Sequence, residues 1–326
     1  QPIDSIFVGG GTPTALTADQ MERFLKLVGT YFPNRSGQFE FTMEANPGTT
    51  EREKLESMMR GGVNRISFGA QSFDNELLKK IGRIHESDEI VTSVQMAREC
   101  GFENISIDLM FGLPNQSLQH LQQSLEAAFA LDLPHYSVYS LKVEENTPFH
   151  HWHERGELAL PDEDEELAMF KLIMEEMKRR GYHHYEVSNF AKPGFEGRHN
   201  LAYWKNESYY GFGAGAHGYV SGKRHVNIKG VQPYIDACQK GLPRLEQFEV
   251  DRKEAMEDFM MVGLRMLDGV ESARFSEKFG CPLEEQFGAA LDKLISAQLI
   301  EKTAKGYRLT QKGLIFGNEV FAEFIS

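Results

Sequence analysis

Apolar and polar positions alternate along the first half of the chain in two periods. Short apolar, strand-like runs occupy residues 5–8, 40–44, 65–68, 105–110 and 136–141. Between them, apolar residues recur at i, i+3, i+4 and i+7, the stripe of an amphipathic helix. Met21, Phe24, Leu25 and Val28 form one stripe, Ile90, Val91, Val94 and Ala97 another, and Leu118, Leu121, Leu125 and Phe129 a third. Thr17 with Gln20, and Thr50 with Glu53, have the spacing of a capping box. Ser87 reads as the cap of the helix that Gly101 stops. Strands alternating with helices predict an α/β fold with a parallel sheet and crossover connections.

The pattern changes after about residue 145. Residues 162–181 read as one acidic helix with Leu167, Phe170, Ile173, Met174 and Met177 on its apolar face. Residues 183–228 hold short β-like runs rich in Gly, His and Tyr, an accessory region. From about Arg252 the chain reads as helical, followed by β-like runs at 299–302 and 305–309 and a last helix. Helix, helix, short hairpin is the order of a winged helix. That segment is slightly acidic, so a packing or lid module is expected there rather than a DNA reader. Three domains are expected, over residues 1–150, 151–248 and 249–326.

Composition narrows the function. The 326 residues are 41% hydrophobic and 25% charged, values of a globular protein. The formal net charge is −13, which argues against nucleic acid as a partner. No apolar run approaches the length of a membrane span, so a membrane is expected only through a partner protein. Cys100, Cys238 and Cys281 lie far apart and form neither a metal motif nor a disulfide framework, as in a reducing cytoplasm. The chain starts with Gln1, almost directly on a strand, so a preceding N-terminal piece is expected.

Polar groups gather where the strands end. Gly9-Gly10-Gly11-Thr12-Pro13-Thr14 follows the first strand. It lacks the Gly-Lys-Ser/Thr ending of a P-loop and the third glycine of a dinucleotide fingerprint. Glu44-Ala45-Asn46-Pro47 closes the second strand, Gln71-Ser72-Phe73 the third, and Asp108 lies late on the fourth. Ligand groups supplied by several consecutive strands at one face favour a barrel over a doubly wound sheet. Two other motifs are set aside. Gly213-Ala214-Gly215-Ala216-His217-Gly218 has the G-x-G-x-x-G spacing, but no helix pattern follows, so it reads as a glycine-rich strand and turn. His150-His151-Trp152-His153 reads as an exposed loop tip without a carboxylate partner.

Gly9 to Thr14, Glu44 to Pro47, Ser67-Phe68-Gly69-Ala70-Gln71-Ser72-Phe73, Gly82-Arg83-Ile84-His85 and Asp108-Leu109-Met110-Phe111-Gly112-Leu113-Pro114 occur in this order. Together they resemble the radical SAM family of oxygen-independent coproporphyrinogen III oxidase and its relatives. The resemblance implies a partial (β/α)6 barrel holding a 4Fe–4S cluster and S-adenosylmethionine. It places Gly10, Gly11 and Thr12 against the methionine part of that ligand, with Glu44, Gln71, Arg83 and Asp108 around the rest. The family's Cys-x3-Cys-x2-Cys loop is not in this chain and is expected upstream of Gln1, so no metal ligand is assigned here. His199-Asn200-Leu201-Ala202-Tyr203-Trp204 resembles the signature of the family's HemW-type haem chaperones. That subgroup binds haem and delivers it to respiratory proteins without decarboxylating coproporphyrinogen. His199, Tyr203 and Trp204 are then expected at haem, with haem-accepting proteins as partners and a homodimer as a further expectation. The alternatives are a true oxygen-independent coproporphyrinogen oxidase and a cluster-free haem or nucleotide-binding module.

Overall fold

The computed structural model describes residues 2–325, in two compact units that divide after His199. The first unit is built on β1 (Ile3–Val8), α1 (Ala18–Tyr31), β2 (Arg35–Ala45), α2 (Arg52–Arg60), β3 (Arg65–Gln71), α3 (Asn75–Lys80), α4 (Ser87–Glu99), β4 (Asn104–Phe111), α5 (Leu118–Ala130) and β5 (His135–Ser140). Then come α6 (Pro148–Glu154), α7 (Glu163–Arg179), β6 (His183–Glu186), β7 (Asn189–Ala191) and α8 (Arg198–Trp204). The sheet is a curled half-barrel in the order β1-β2-β3-β4-β5-β7-β6, with β1 to β5 parallel and β7 antiparallel to both β5 and β6. The expected parallel α/β barrel is therefore present, and its sheet continues past residue 150 through α7 and two antiparallel strands.

Strict alternation decides which face holds the site. Phe41, Met43 and Ala45 on β2, Ile66, Phe68 and Ala70 on β3, and Ile105, Ile107 and Leu109 on β4 are buried in one apolar cluster with helix residues. Those partners include Met21 and Leu25 on α1, Leu55 and Met58 on α2, Val94 on α4 and Ile173 on α7. The registers Glu44↔Ser67↔Ser106↔His135 and Thr42↔Arg65↔Asn104 put the intervening polar residues on the opposite, inner face. Most parallel sheets are apolar on both faces. This one keeps a polar inner face, and Glu40, Thr42, Arg65, Ser67, Ser106, His135 and Ser137 on it are all buried.

Helix starts refine three expectations. Thr17 and Gln20 do form a capping box on α1. α2 instead starts after Glu51, because the Thr50 hydroxyl donates to Ser93 Oγ at 3.0 Å. α4 is capped by Glu86, boxed with Glu89, which leaves Ser87 as its first helical residue. His150, His151 and His153 lie on the short helix α6 rather than on a loop tip. Thr147 accepts from the His150 amide, and Pro148 opens the first turn where no amide is needed.

The second unit holds β8 (His217–Val220), β9 (Lys223–Asn227), α9 (Val231–Cys238) and β10 (Arg244–Glu249), with an antiparallel sheet β10-β9-β8. Gly213 and Gly215 lie in a turn and Gly218 in β8, so the glycine-rich motif is a turn and strand, as expected. α10 (Arg252–Gly263), β11 (Val270–Glu271), α11 (Ser272–Phe279), α12 (Leu283–Ser296), β12 (Ile300–Lys302), β13 (Gly306–Leu309), α13 (Gln311–Ile315) and α14 (Gly317–Ala322) complete it. Helix, strand, two helices and a hairpin over the sheet β11-β13-β12 is a winged-helix order. Its core is a chain of edge-on or tilted rings, Phe259–Phe275, Phe275–Phe287 and Phe287–Phe324, with centroids 5.4 to 6.0 Å apart. No described helix is long and apolar enough to cross a membrane.

Candidate functional site

The loops that leave β1 and β2 are tied together. Gly10 N–H donates to Glu44 Oε2 at 3.2 Å, Asn46 Nδ2 to Thr12 Oγ1 at 3.0 Å, and Asn46 N–H to Thr14 Oγ1 at 3.3 Å. The buried Lys54 ammonium holds the same loop from below, donating to Thr14 O at 3.0 Å and Thr49 O at 3.3 Å. Gly10 and Gly11 take φ of +79° and +82°, where a side chain is strained although nothing lies within 4 Å of a Cβ. Gly9 is fixed by space instead. A Cβ there would stand 2.6 Å from the Phe7 ring and 2.7 Å from the Glu44 carboxyl.

β3 brings the next groups in. Its pairing with β4 breaks between Phe68 and Gln71, and Gln71 is held at φ +66°, an uncommon conformation for a residue with a side chain. A Cβ on Gly69 would lie 2.6 Å from Arg83 Nη2, 3.0 Å from Gln71 Nε2 and 3.5 Å from Asn46 Oδ1. Gly69 therefore sits at the meeting point of Asn46, Gln71 and Arg83. The loop after α3 is pinned to the end of β3: Arg83 Nη2 donates to Gly69 O at 2.7 Å, and buried His85 Nε2 lies 3.3 Å from Ala70 O. Asp108 on β4 accepts from Ser67 Oγ at 3.0 Å.

Charge is poised rather than neutralised here. Burial raises the pKa of Glu44, the Gly10 amide lowers it, and Asp108 raises it again. Burial raises Asp108 too, against hydrogen bonds from Ser137 and Ser67. Burial lowers Arg83, whose charge Asp108 favours. Arg83 Nε has neither solvent access nor a hydrogen-bond partner. A buried donor without an acceptor is costly, and a polar ligand in this cleft would supply one. Two carboxyls, one guanidinium, two amides and exposed loop backbone suit a ligand that carries both signs of charge.

A second cluster occupies the same inner face at the edge strand. The His199 ring stacks on Phe7, with centroids 4.7 Å apart and planes 12° apart. Glu40 on β2 accepts the backbone N–H groups of Arg198 at 3.0 Å and His199 at 3.2 Å. The preceding residues are held likewise. Arg65 Nη1 donates to Phe195 O at 3.1 Å, and Gly197 N–H donates to Tyr185 OH at 3.1 Å. Tyr185 OH is 2.8 Å from His135 Nε2, and His135 Nδ1 is 2.7 Å from Ser106. These buried polar side chains of the strands thus fix the backbone that presents His199. Burial drives the His199 pKa down to about 4, against the pull of Glu40, so its imidazole is neutral at physiological pH.

The expected residues fall into three places. Gly10, Gly11, Thr12, Glu44, Gln71, Arg83 and Asp108 cluster at the C-terminal ends of β1 to β4 and the loops that follow them. His199 lies beside it on Phe7, the ring that also abuts Gly9. Tyr203 packs edge-on to Tyr209 at 4.4 Å, and Trp204 lies under the Arg265 guanidinium at 4.5 Å. Trp204 and Arg265 line a cavity of about 410 Å³ in the second unit with Met261, Val262, Phe321 and Ile325. Gly9, Asn46 and Gly69 lie in motifs that the sequence shows but carry no assigned role there, and Glu40 reads only as part of a strand-like run. The polar residue at every second strand position was the signal for Glu40, and the crowded glycines needed coordinates. The three cysteines do not fit a 4Fe–4S cluster: Cys100 caps the end of α4, Cys238 ends α9, and Cys281 lies between α11 and α12.

Residues 1–128 match the family model of the radical SAM superfamily, and residues 250–316 match the HemN C-terminal domain. The chain is 46% identical to the haem chaperone HemW of Bacillus subtilis over 324 residues, covering 99% of this chain and 86% of that protein. It is 35% identical to HemW of Escherichia coli, covering 99% and 84%. Among solved structures, the coproporphyrinogen III oxidase HemN of Escherichia coli, a radical SAM enzyme, superposes with a TM-score of 0.84 at 20% identity, covering 99% of this chain and 78% of that one. At that identity the likeness is one of fold.

Proposed function

The chain belongs to the haem-chaperone family that carries the name HemW, and on that premise we propose that it carries haem as cargo on His199 beside an S-adenosylmethionine site. The observation that carries this reading is the placement of His199. A neutral imidazole, held by its own backbone amide on Glu40, stands on the ring that borders the glycine loop. Neutral imidazole is the form that ligates haem iron. Within the second unit, Tyr203 packs on Tyr209 and Trp204 lies under Arg265.

For S-adenosylmethionine, Gly10, Gly11 and Thr12 offer backbone and hydroxyl to the amino-acid end. Glu44 and Asp108 face the cationic parts, and Gln71 and Arg83 the remaining oxygens. A radical SAM domain works with S-adenosylmethionine and a 4Fe–4S cluster. The residues above bind and orient the former. Transfer to haem proteins in a reducing cytoplasm is part of the same proposal, and the three free thiols support that compartment.

Two outcomes are expected. The full-length, cluster-reconstituted protein will form no protoporphyrinogen from coproporphyrinogen; robust decarboxylation overturns the chaperone reading. Haem affinity, followed by Soret titration, will stay flat from about pH 8 to about pH 5.5, because an ordinary histidine protonates near 6.5 whereas His199 does so near 4. The sign is that acid competes with iron for the ring, so affinity falls only as pH approaches 4. A tenfold fall between pH 7 and pH 5.5 would remove His199 as the ligand.

A further inference from the structure

Helix α6 carries a group that the haem and S-adenosylmethionine sites leave unused. We propose that His150, His151 and Glu154 form a binding site for a divalent transition-metal ion. Their ligand atoms all lie within 4.8 Å of one another. Glu154 Oε2 is 3.6 Å from His150 Nδ1 and 3.8 Å from His151 Nδ1. The spacing produces this convergence. His150 and Glu154 are four apart and His151 and Glu154 three apart, so the carboxylate sits below both rings on the helix surface.

Those separations are too long for hydrogen bonds and close to what an ion requires. Ligands about 2.0–2.2 Å from a tetrahedral metal stand about 3.4 Å from each other. For the two carboxylate–imidazole pairs the contraction needed is a few tenths of an ångström, and the two imidazole nitrogens start within 4.8 Å of each other. Two features say that an ion is wanted. His150 Nδ1 has no solvent access and no hydrogen-bond partner. The carboxylate is not taken by the neighbouring cation either, because Arg155 Nε donates to His151 O at 3.1 Å and lies 3.6 Å from Glu157. The helix is set in place before any ion arrives, since Thr147 accepts the His150 amide and itself donates to Glu144 O.

The donor set selects the ion. Two imidazoles and one carboxylate, with no thiolate, suit Zn²⁺, Co²⁺, Ni²⁺ or Fe²⁺ and disfavour Mg²⁺ and Ca²⁺, which prefer oxygen ligands. Three protein ligands leave at least one position for water or an incoming ligand. α6 lies on the connection leaving the C-terminal end of β5, the end of the sheet that also bears Glu44, Gln71 and Asp108.

Co²⁺ titration of the 326-residue chain tests this. One ion per chain is expected, with a visible d–d band and no thiolate charge-transfer band. His150→Ala and His151→Ala should each weaken binding at least tenfold, and Glu154→Gln by a similar factor. His153→Ala, on the same helix but outside the group, should leave affinity unchanged. All four positions are on a surface helix, and circular dichroism verifies folding. The proposal is overturned if the His150→Ala/His151→Ala double variant keeps the affinity and spectrum of the unaltered chain. It is equally overturned if the ion's spectrum shows thiolate ligation or if haem alone, and no divalent ion, depends on these histidines.

Discussion

Gly69→Val is expected to weaken S-adenosylmethionine binding at least ~30-fold while the protein stays folded. The first added carbon would stand 2.6 Å from Arg83 Nη2 and 3.0 Å from Gln71 Nε2, and the branches would press toward Asn46 Oδ1. Each obstacle is the polar end of a side chain rather than backbone, so the fold yields by moving the groups assigned to the ligand. The strand itself loses one hydrogen bond, Arg83 to Gly69 O, a cost of about 1 kcal/mol. The ligand loses two or three polar contacts of about 1–1.5 kcal/mol each, and every ~1.4 kcal/mol is tenfold in affinity. Equilibrium binding to the cluster-reconstituted protein, alongside thermal unfolding, separates the two effects. Affinity within threefold of the unaltered protein would remove Gly69 and its three neighbours from the site. Gly11→Val makes a useful contrast. Its side chain meets no protein atom within 4 Å, so its effect comes from the strain of φ +82° and from the ligand that the loop backbone is assigned to hold.

That contrast shows where the sequence was legible. Helical stripes and strand runs predict the parallel α/β sheet, because packing on one face imposes a period on the residues, and the polar strand ends favour its closing toward a barrel. Glu44, Asp108 and the glycine loop could be located because polar residues stop an apolar strand at one end of a parallel sheet. The caps were less legible. Thr50 has the composition of a cap, but its hydroxyl is taken by Ser93, 43 residues away. The crowding at Gly9 and Gly69 left no mark, since a glycine required for space and one required for positive φ read alike. At α6, a carboxylate four residues from His150 was in plain view. A loop carries no i, i+4 geometry, so only the helix Pro148–Glu154 brings Glu154 beneath His150. Arg65, His135 and Tyr185 needed the register, which sets them on one face with the backbone of residues 195–199.

His199→Ala should reduce haem affinity by ~100-fold or more and change the Soret band, because the assigned iron ligand is gone. The same site gives a finer test through Glu40, a positioning residue that reaches the backbone of His199 and not its ring. A carboxylate accepts both the Arg198 and His199 amides. A Gln side chain has one acceptor oxygen, and its amino group must face one of those donors. One buried amide then loses its partner, at about 1–3 kcal/mol. Part of that falls on the placement of the His199 backbone, and Glu40→Gln is expected to weaken haem about tenfold, mainly through faster dissociation. Its Soret band should match that of the unaltered protein, since the ligand is still present. Tighter packing cannot imitate this pair of results. A merely structural Glu40 would lower the melting temperature and leave the haem dissociation rate of the folded fraction unchanged. If both variants shift the spectrum alike, Glu40 touches haem directly. If neither alters affinity, the iron ligand lies elsewhere and the stacked His199–Phe7 pair is a packing contact at the edge strand.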